Sequence, residues 1–297
     1  MHRIPRDHYT YHFAADLKPV VEIAPGDRVV AETYDASTGR IRKSEDVFTY
    51  AKVRDPLKVN PAAGPIFLRG ARPGDGLAVT IEDIKLTEQG YVRAAPGAGL
   101  LQEGRTEPKA IIVRIEGDHL VFGDRLRIPC RPMVGVIGTT PATGIIYTGH
   151  PGPLGSNLDI NAVTIGSRVH LPVEVEGALL AIGDVHANMS DGEVSGTGVE
   201  INAEVTFTVD LEAGPVWPRV WIERPDAWVT TSYGPDLEGT VRSAVEDMVR
   251  MLEARLGLSR EEAFLAFSAA GDARIGQCAF IPGIDLTAYA TFPKLAQ

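Results

Sequence analysis

Short segments rich in valine and isoleucine, cut apart by 31 glycines and 21 prolines, set the tightest limit on what this chain can fold into. Val20 to Ile23, Arg28 to Thr33 and Leu77 to Ile81 are too brief for packed helices and carry the residues that suit a pleated, half-buried surface. A Pro-Gly-Asp triplet stands at Pro25–Asp27 and again at Pro73–Asp75, each time just ahead of such a segment. Proline presets φ and glycine permits the reversal, so both triplets are expected to be turns feeding strands. The expected fold class is mainly β. The stretch from Ala94 to Pro108 has no period and is expected to be a loop or a cover over an active site.

Helical spacing enters only late. Val241, Val245, Met248, Val249, Leu252 and Leu256 recur at three- and four-residue intervals between Gly239 and Leu256, and the methionines among them are expected in the core. Ser259 followed by Glu262 is a capping box that opens a second helix running through Phe267. Both helices are expected to pack on a sheet, giving β-rich structure over residues 1–220 and a smaller α/β part over 221–297.

Composition narrows the function classes. With 44% hydrophobic and 23% charged residues the 297-residue chain reads as a globular, enzyme-sized protein, and no apolar run approaches the roughly 18 residues of a membrane-crossing helix. A net charge of -10, with 39 acidic against 29 basic residues, makes nucleic acid a poor partner. The opening Met-His-Arg-Ile-Pro-Arg-Asp-His leads into no apolar stretch of the kind that exports a protein, so a cytoplasmic location is expected. There Cys130 and Cys278 are expected to be free, buried thiols.

The chemistry gathers in residues 183 to 200, where Asp184, His186, Asp191 and Glu193 follow one apolar segment and run out into glycines. Asp184 and His186 are two residues apart, so a strand places both on one face. The pattern Val169, Leu171, Val173, Val175, then Glu176-Gly177, then Ala178 to Ile182 reads as a hairpin in which paired positions sum to 353. That register sets Ser167 opposite His186 and carries the preceding loop, with Asp159, to the same end. Asp159, Asp184 and His186 would offer oxygen and nitrogen ligands suited to zinc or another divalent ion, with a position left for water. Glu193 is the candidate general base, with Asp184 and His186 sharing the catalytic site, and Asp191 is expected to be a turn residue before Gly192. Neither a Gly-x-Ser-x-Gly elbow nor a phosphate-cradling glycine loop with a lysine is present, so serine hydrolysis and nucleotide binding lack their marks.

These pieces resemble the acetamidase/formamidase family over nearly the full length. The resemblance rests on Tyr11-His12-Phe13 with Lys18-Pro19 and Gly26-Asp27, on Glu32-Thr33-Tyr34-Asp35-Ala36, on Asn60-Pro61 with Gly64-Pro65, and on Gly70-Ala71 with Pro73-Gly74-Asp75. The Gly183-Asp184-Val185-His186 stretch through Asp191-Gly192-Glu193 is its most specific part, followed by Ser268 to Gln277. It implies hydrolysis of a small linear amide to a carboxylate and ammonia, a β-sandwich-like core plus helices packed on a sheet, and a homodimer. It also adds His12, Glu32 and Asp35 as weaker metal-ligand candidates, and the group Asp272, Arg274 and Gln277, for which an Asp272–Arg274 salt bridge is an equal structural alternative. Asn157 and Ser156 become candidate donors to the substrate. Where the family's loop commonly reads Pro-Gly-x-His-Gly-Gly-Asn-x-Asp, this chain has Leu154 in place of the histidine, which leaves His150 as a possible substitute. Met189 resembles the acetamidase-like branch. Hydrolysis of another carbon–nitrogen bond such as a lactam, and a non-catalytic β module holding a metal, stay open beside amide hydrolysis.

Overall fold

A computed structural model describes residues 1–123, 125–212 and 216–294. Two long strands, Gly76–Ala94 and Glu200–Glu212, pair antiparallel and form the spine of a large curled sheet. Along Glu200–Glu212 the period of two is plain. Ile201, Ala203, Val205, Phe207 and Val209 are buried, while Asn202, Glu204, Thr206, Thr208 and Asp210 are half-exposed. The buried set meets Val79, Ile81 and Ile84 in the main core, and Asp27–Thr33 pairs along the other side of the same strand. The fold is mainly β, as expected, and both Pro-Gly-Asp triplets are turns, with Gly26 at φ 84° and Gly74 at φ 96°.

The strand Leu180–His186 is buried at every position, so it needs neighbours on both sides. Met133–Gly138 pairs with it along one edge, Ala62–Leu68 along the other, and Glu200 meets His186 at its end. The hairpin expected across Glu176-Gly177 does not form. Arg168–Pro172 already has partners on both edges, Gly76–Thr80 and Trp221–Glu223. Gly177 instead donates its N–H to Ala71 O and accepts from Leu68 N–H, tying the turn to the 68–71 loop. Opposite His186 therefore stand Met133 and Glu200, not Ser167.

The C-terminal helices follow their sequence signals. Leu237–Leu256 starts at Asp236, whose side chain accepts from Gly239 N–H, and stops at Gly257 in the left-handed region at φ 68°. Arg260–Ala270 carries the expected Ser259/Glu262 capping box. They pack on the strands Ala227–Gly234 and Leu286–Pro293 through Met248, Val249, Leu252, Phe267 and Phe292, and Met248 and Met251 are both buried. The boundary near residue 220 is kept as a proposal; across it Trp221–Glu223 pairs with Arg168–Pro172 and joins the two parts in one hydrogen-bonded network. Beyond the helices the chain returns to the β part, where Gly192 N–H donates to Gly276 O and Cys278 N–H to Gly192 O. The 94–108 segment lies against the same loops, with Gly99 N–H donating to Ala279 O and Leu100 N–H to Val194 O. No helix among the described residues is long and apolar enough to cross a membrane, and both cysteines are free, Cys278 buried and Cys130 partly so.

Candidate active site

Five ionisable side chains converge at the end of the Leu180–His186 strand. Ligand atoms of Asp159, His186 and Glu193 lie within 4.8 Å of one another, and so do those of Asp184, His186 and Glu200. His186 is shared by the two sets. All five residues are buried, none more than 8% exposed.

Backbone geometry brings them together. Asp159 (φ 46°), Asp184 (φ 54°) and Glu193 (φ 41°) all occupy the left-handed region, which costs roughly 1–3 kcal/mol each for residues with a Cβ and clusters at functional sites. Gly135, on the strand beside Asp184, makes the convergence possible. A Cβ there would lie 2.5 Å from Asp159 Oδ1 and 2.9 Å from Asp184 Oδ2. Its carbonyl accepts from the N–H groups of both Leu158 and Asp159, which draws the 155–159 loop onto the strand. Gly198 has a matching role under His186, where a Cβ would come within 2.9 Å of Nδ1.

Two asparagines aim the aspartates. Asn157 Nδ2 donates to Asp159 Oδ2 at 2.6 Å, and Asn60 Nδ2 donates to Asp184 Oδ2 at 2.7 Å and to Asn157 Oδ1 at 2.7 Å. Each aspartate thus spends Oδ2 on an amide, while Asp159 Oδ1 and Asp184 Oδ1 are buried without a hydrogen bond. His186 is held in a similar way. Its Nδ1 lies 3.2 Å from Met133 Sδ, and a thioether can only accept, so Nδ1 carries the hydrogen and Nε2 faces the carboxylates. Nε2 is 3.1 Å from Glu200 Oε1 and 3.7 Å from Asp184 Oδ1, yet neither contact has the direction of a hydrogen bond.

The electrostatics follow from packing four carboxyls around one imidazole. Burial raises Asp159 to about 6, with Glu200 adding to the rise. Burial likewise lifts Asp184 and Glu193 well above the carboxylate range, reinforced by Glu200 and by Asp159 respectively. Burial alone would lower His186, but Glu200, Asp184 and Asp159 together carry it well above its ordinary value. Asp159, Asp184 and Glu193 thus respond as if a positive charge belonged among them. Each of the two converging sets joins carboxylate oxygens to the imidazole nitrogen, a hard-to-borderline donor set that fits a divalent cation.

The site opens into a cavity of about 240 Å³ that reaches Asn60, His150, Glu193, Glu200 and Gln277. His150 Nδ1 is buried there without a partner. Gln277 lines the wall with its amide spent on Asp285 O and Ala279 N–H. Leu154 is buried and lies outside the cavity lining, so the position that departs from the family pattern does not face this space.

Other expected residues are placed elsewhere. Ser156 donates to Tyr147 O and does not line the cavity. Met189 lines neighbouring clefts with Arg131 and Ser190. Glu32 is bound by Arg3 on the outer face of the sheet, and Asp35 folds its own turn by accepting from Ser37 and Gly39. His12 pairs across to Tyr147 and faces a separate pocket with Tyr9 and Tyr11. None of His12, Glu32 and Asp35 belongs to either set of converging ligand atoms. Arg274 bridges Asp272 and Asp191, which fits the structural alternative, and Asp191 also accepts from Tyr289 and Asn161. Glu200 and Asn60 are the residues that sequence reasoning missed. Glu200 closes the singled-out stretch but carries no local signal of its partner, and the only hint at Asn60 is the Asn-Pro step.

A match to the acetamidase/formamidase family spans residues 4–150 and 147–219. The chain belongs to this family. The crystal structure of an acetamidase from Bacillus halodurans superposes with a TM-score of 0.92 at 38% identity, covering 98% of this chain and 97% of that one. An acetamidase from Mycolicibacterium smegmatis is 32% identical over 67% of this chain and 64% of its own length. A formamidase from Methylophilus methylotrophus is 26% identical over 67% of this chain and 62% of its own length. The chain thus spans somewhat less than two thirds of these two relatives, although its fold matches the Bacillus family member from end to end.

Proposed function

We propose that this chain hydrolyses the carbon–nitrogen bond of a small amide, releasing a carboxylate and ammonia, with a divalent metal, zinc first among candidates, held by Asp159, Asp184 and His186. The observation that carries the reading is the trio of bare, buried atoms, Asp159 Oδ1, Asp184 Oδ1 and His186 Nε2, beside a cavity that Asp159 and Asp184 line, in a family whose relatives are acetamidases and formamidases. Glu200 faces the same His186 nitrogen and completes the ligand set. When bound, such a metal supplies Lewis-acid polarisation of the amide carbonyl and a more acidic water.

The chain's own residues do the rest. Asn60 and Asn157 hold the two aspartates so that their free oxygens keep one direction, and the Met133 contact fixes the His186 tautomer. Glu193 takes one proton of the attacking water as the C–O bond forms and passes it to the amide nitrogen as the C–N bond breaks, so ammonia leaves as a neutral molecule, and the new carboxylic acid then loses the second proton to solvent or to the ammonia to give the carboxylate. His150, with an uncommitted ring nitrogen at the cavity wall, is placed to hydrogen-bond the substrate.

Ammonia release from formamide, acetamide, propionamide and a lactam, before and after chelation and zinc restoration, tests the reading. Turnover of a linear amide that disappears on chelation and returns with zinc is expected; silence on all four with metal bound would leave only the metal-holding β module. Asn60→Ala is expected to weaken metal binding by about 10–100-fold, the usual loss when an outer partner of a ligand is removed, and competition against a chelating dye measures it. Homodimer assembly, implied by the family resemblance, is part of the same proposal and is checked by light scattering.

A further inference from the structure

Two arginines line the cavity that leads to the carboxylate cluster, and neither has a carboxylate partner among the described residues. Arg54 caps the C-terminal end of the helix Asp46–Val53, and Arg93 lies near the end of the long strand Gly76–Ala94. Tyr91 pairs directly with Glu200, and Arg93 shares the face of Tyr91 about 7 Å further along the strand. The Arg93 guanidinium lies 5.7 Å from the Tyr50 ring centre, and its Nε is buried without a hydrogen bond. Burial and the charge of Arg93 both lower Arg54, so the two cations share a partly dry space and repel each other there. None of the leading influences on Asp159, Asp184 or Glu193 is an arginine.

Two neighbouring guanidiniums without an anion form a site that lacks its ligand. Arginine's planar fork matches a carboxylate, and a charge-assisted pair of this kind is the strong class of hydrogen bond. The room fits as well. A cavity of about 240 Å³ holds about eight waters at ~30 Å³ each, well beyond what acetamide fills. Leu57, Ile281 and Pro282 supply apolar wall suited to a short methylene chain.

Resting on the amide-hydrolysis reading, we propose that the preferred substrate is an amide with a carboxylate at its far end, the monoamide of a short dicarboxylic acid. Arg54 and Arg93 hold the carboxylate while the amide reaches Glu193 and the Asp159–Asp184–His186 cluster. Water attacks the amide carbon, one of its protons goes through Glu193 to the nitrogen as the C–N bond breaks, and the new carboxyl group gives its proton to the departing ammonia, so the products are a dicarboxylate and ammonium.

Succinamate and butyramide have equal chain length and differ in the terminal carboxylate, so they isolate the arginine contribution. Calorimetric titration of the zinc-loaded protein with each ligand reads binding whether or not either is cleaved, and acetamide turnover in the same preparation reports separately on amide hydrolysis. Succinamate is expected to bind at least tenfold tighter than butyramide. Arg54→Gln and Arg93→Gln should each bring that ratio towards one, and Arg93→Lys should keep part of it. Equal affinity in the wild-type protein, or a ratio unmoved by either glutamine substitution, would overturn the proposal. Tight succinamate binding without acetamide turnover would support the arginine site while removing the hydrolytic reading.

Discussion

Glu193→Gln is expected to lower the rate of ammonia release by about 10³-fold, within the 10²–10⁴ that a placed general base contributes, while metal content per chain stays near that of the wild type. Glu193 differs from the other carboxyls of the cluster in where it stands. Asp159 and Asp184 are each fixed by an asparagine amide, and Glu200 sits against His186 on the sheet. Glu193 instead rises from the loop between the paired residues His186 and Glu200, in a strained left-handed conformation at φ 41°, and its carboxylate accepts from the Gly198 N–H. It lines the cavity from a loop and, unlike Asp159 on its own loop, is not tied to an asparagine amide, which leaves it the freedom a proton carrier needs. Glutamine keeps the length and can still accept from Gly198, but it cannot take a proton. Ammonia release and bound zinc, measured on the same samples, decide the matter: unchanged turnover would end the role, and loss of zinc in step with turnover would make Glu193 a ligand instead.

How much of this was legible in the chain depends on how far apart the partners lie. Local signals carried through: the Ser259/Glu262 box, the helix ending at Gly257 and the alternation along 200–212 each need only neighbours a few residues away. The convergence of Asp159 with Asp184 and His186 was expected, but through the wrong ladder. Spacing suggested a hairpin about Glu176-Gly177, whereas the actual link is the strand Met133–Gly138, which pairs with Gly155–Asn157 on one side and Leu180–His186 on the other. Two apolar runs beside a Glu-Gly step cannot reveal that each already has other partners. Glu200 and Asn60 escaped for the same reason. Their roles arise from pairing at sequence distances of 14 and 124 residues, to His186 and Asp184 respectively, and no periodicity reports on contacts of that range. Gly135 would have been the subtlest to find, because its function is to be small where two carboxylates approach.

Removing the metal is expected to lower the melting temperature by roughly 5–15 °C, and stoichiometric zinc should restore it. A ligand that binds only the folded protein stabilises it by about 4 kcal/mol when present at 1,000 times its Kd, and each kcal/mol moves the midpoint by roughly 2–4 °C in chains somewhat shorter than this one. The shift should be large here because of what the cation leaves behind. Four buried carboxyls face one imidazole, and burial together with mutual repulsion raises three of them, Asp159, Asp184 and Glu193, which means that their charged forms are disfavoured in the folded state. Asp184→Asn turns that argument into a test with a reversal of sign. The asparagine oxygen can still accept from Asn60, so the packing survives, while one disfavoured buried charge is gone. Without metal the variant should therefore melt at or above the temperature of the metal-free wild type; with zinc it should melt well below the loaded wild type, because one ligand atom is lost. Differential scanning calorimetry in chelator and in zinc provides the four midpoints. A wild type indifferent to chelation, or a variant less stable than wild type by the same margin in both conditions, would mean that the cluster is held together by protein contacts alone and does not wait for a cation.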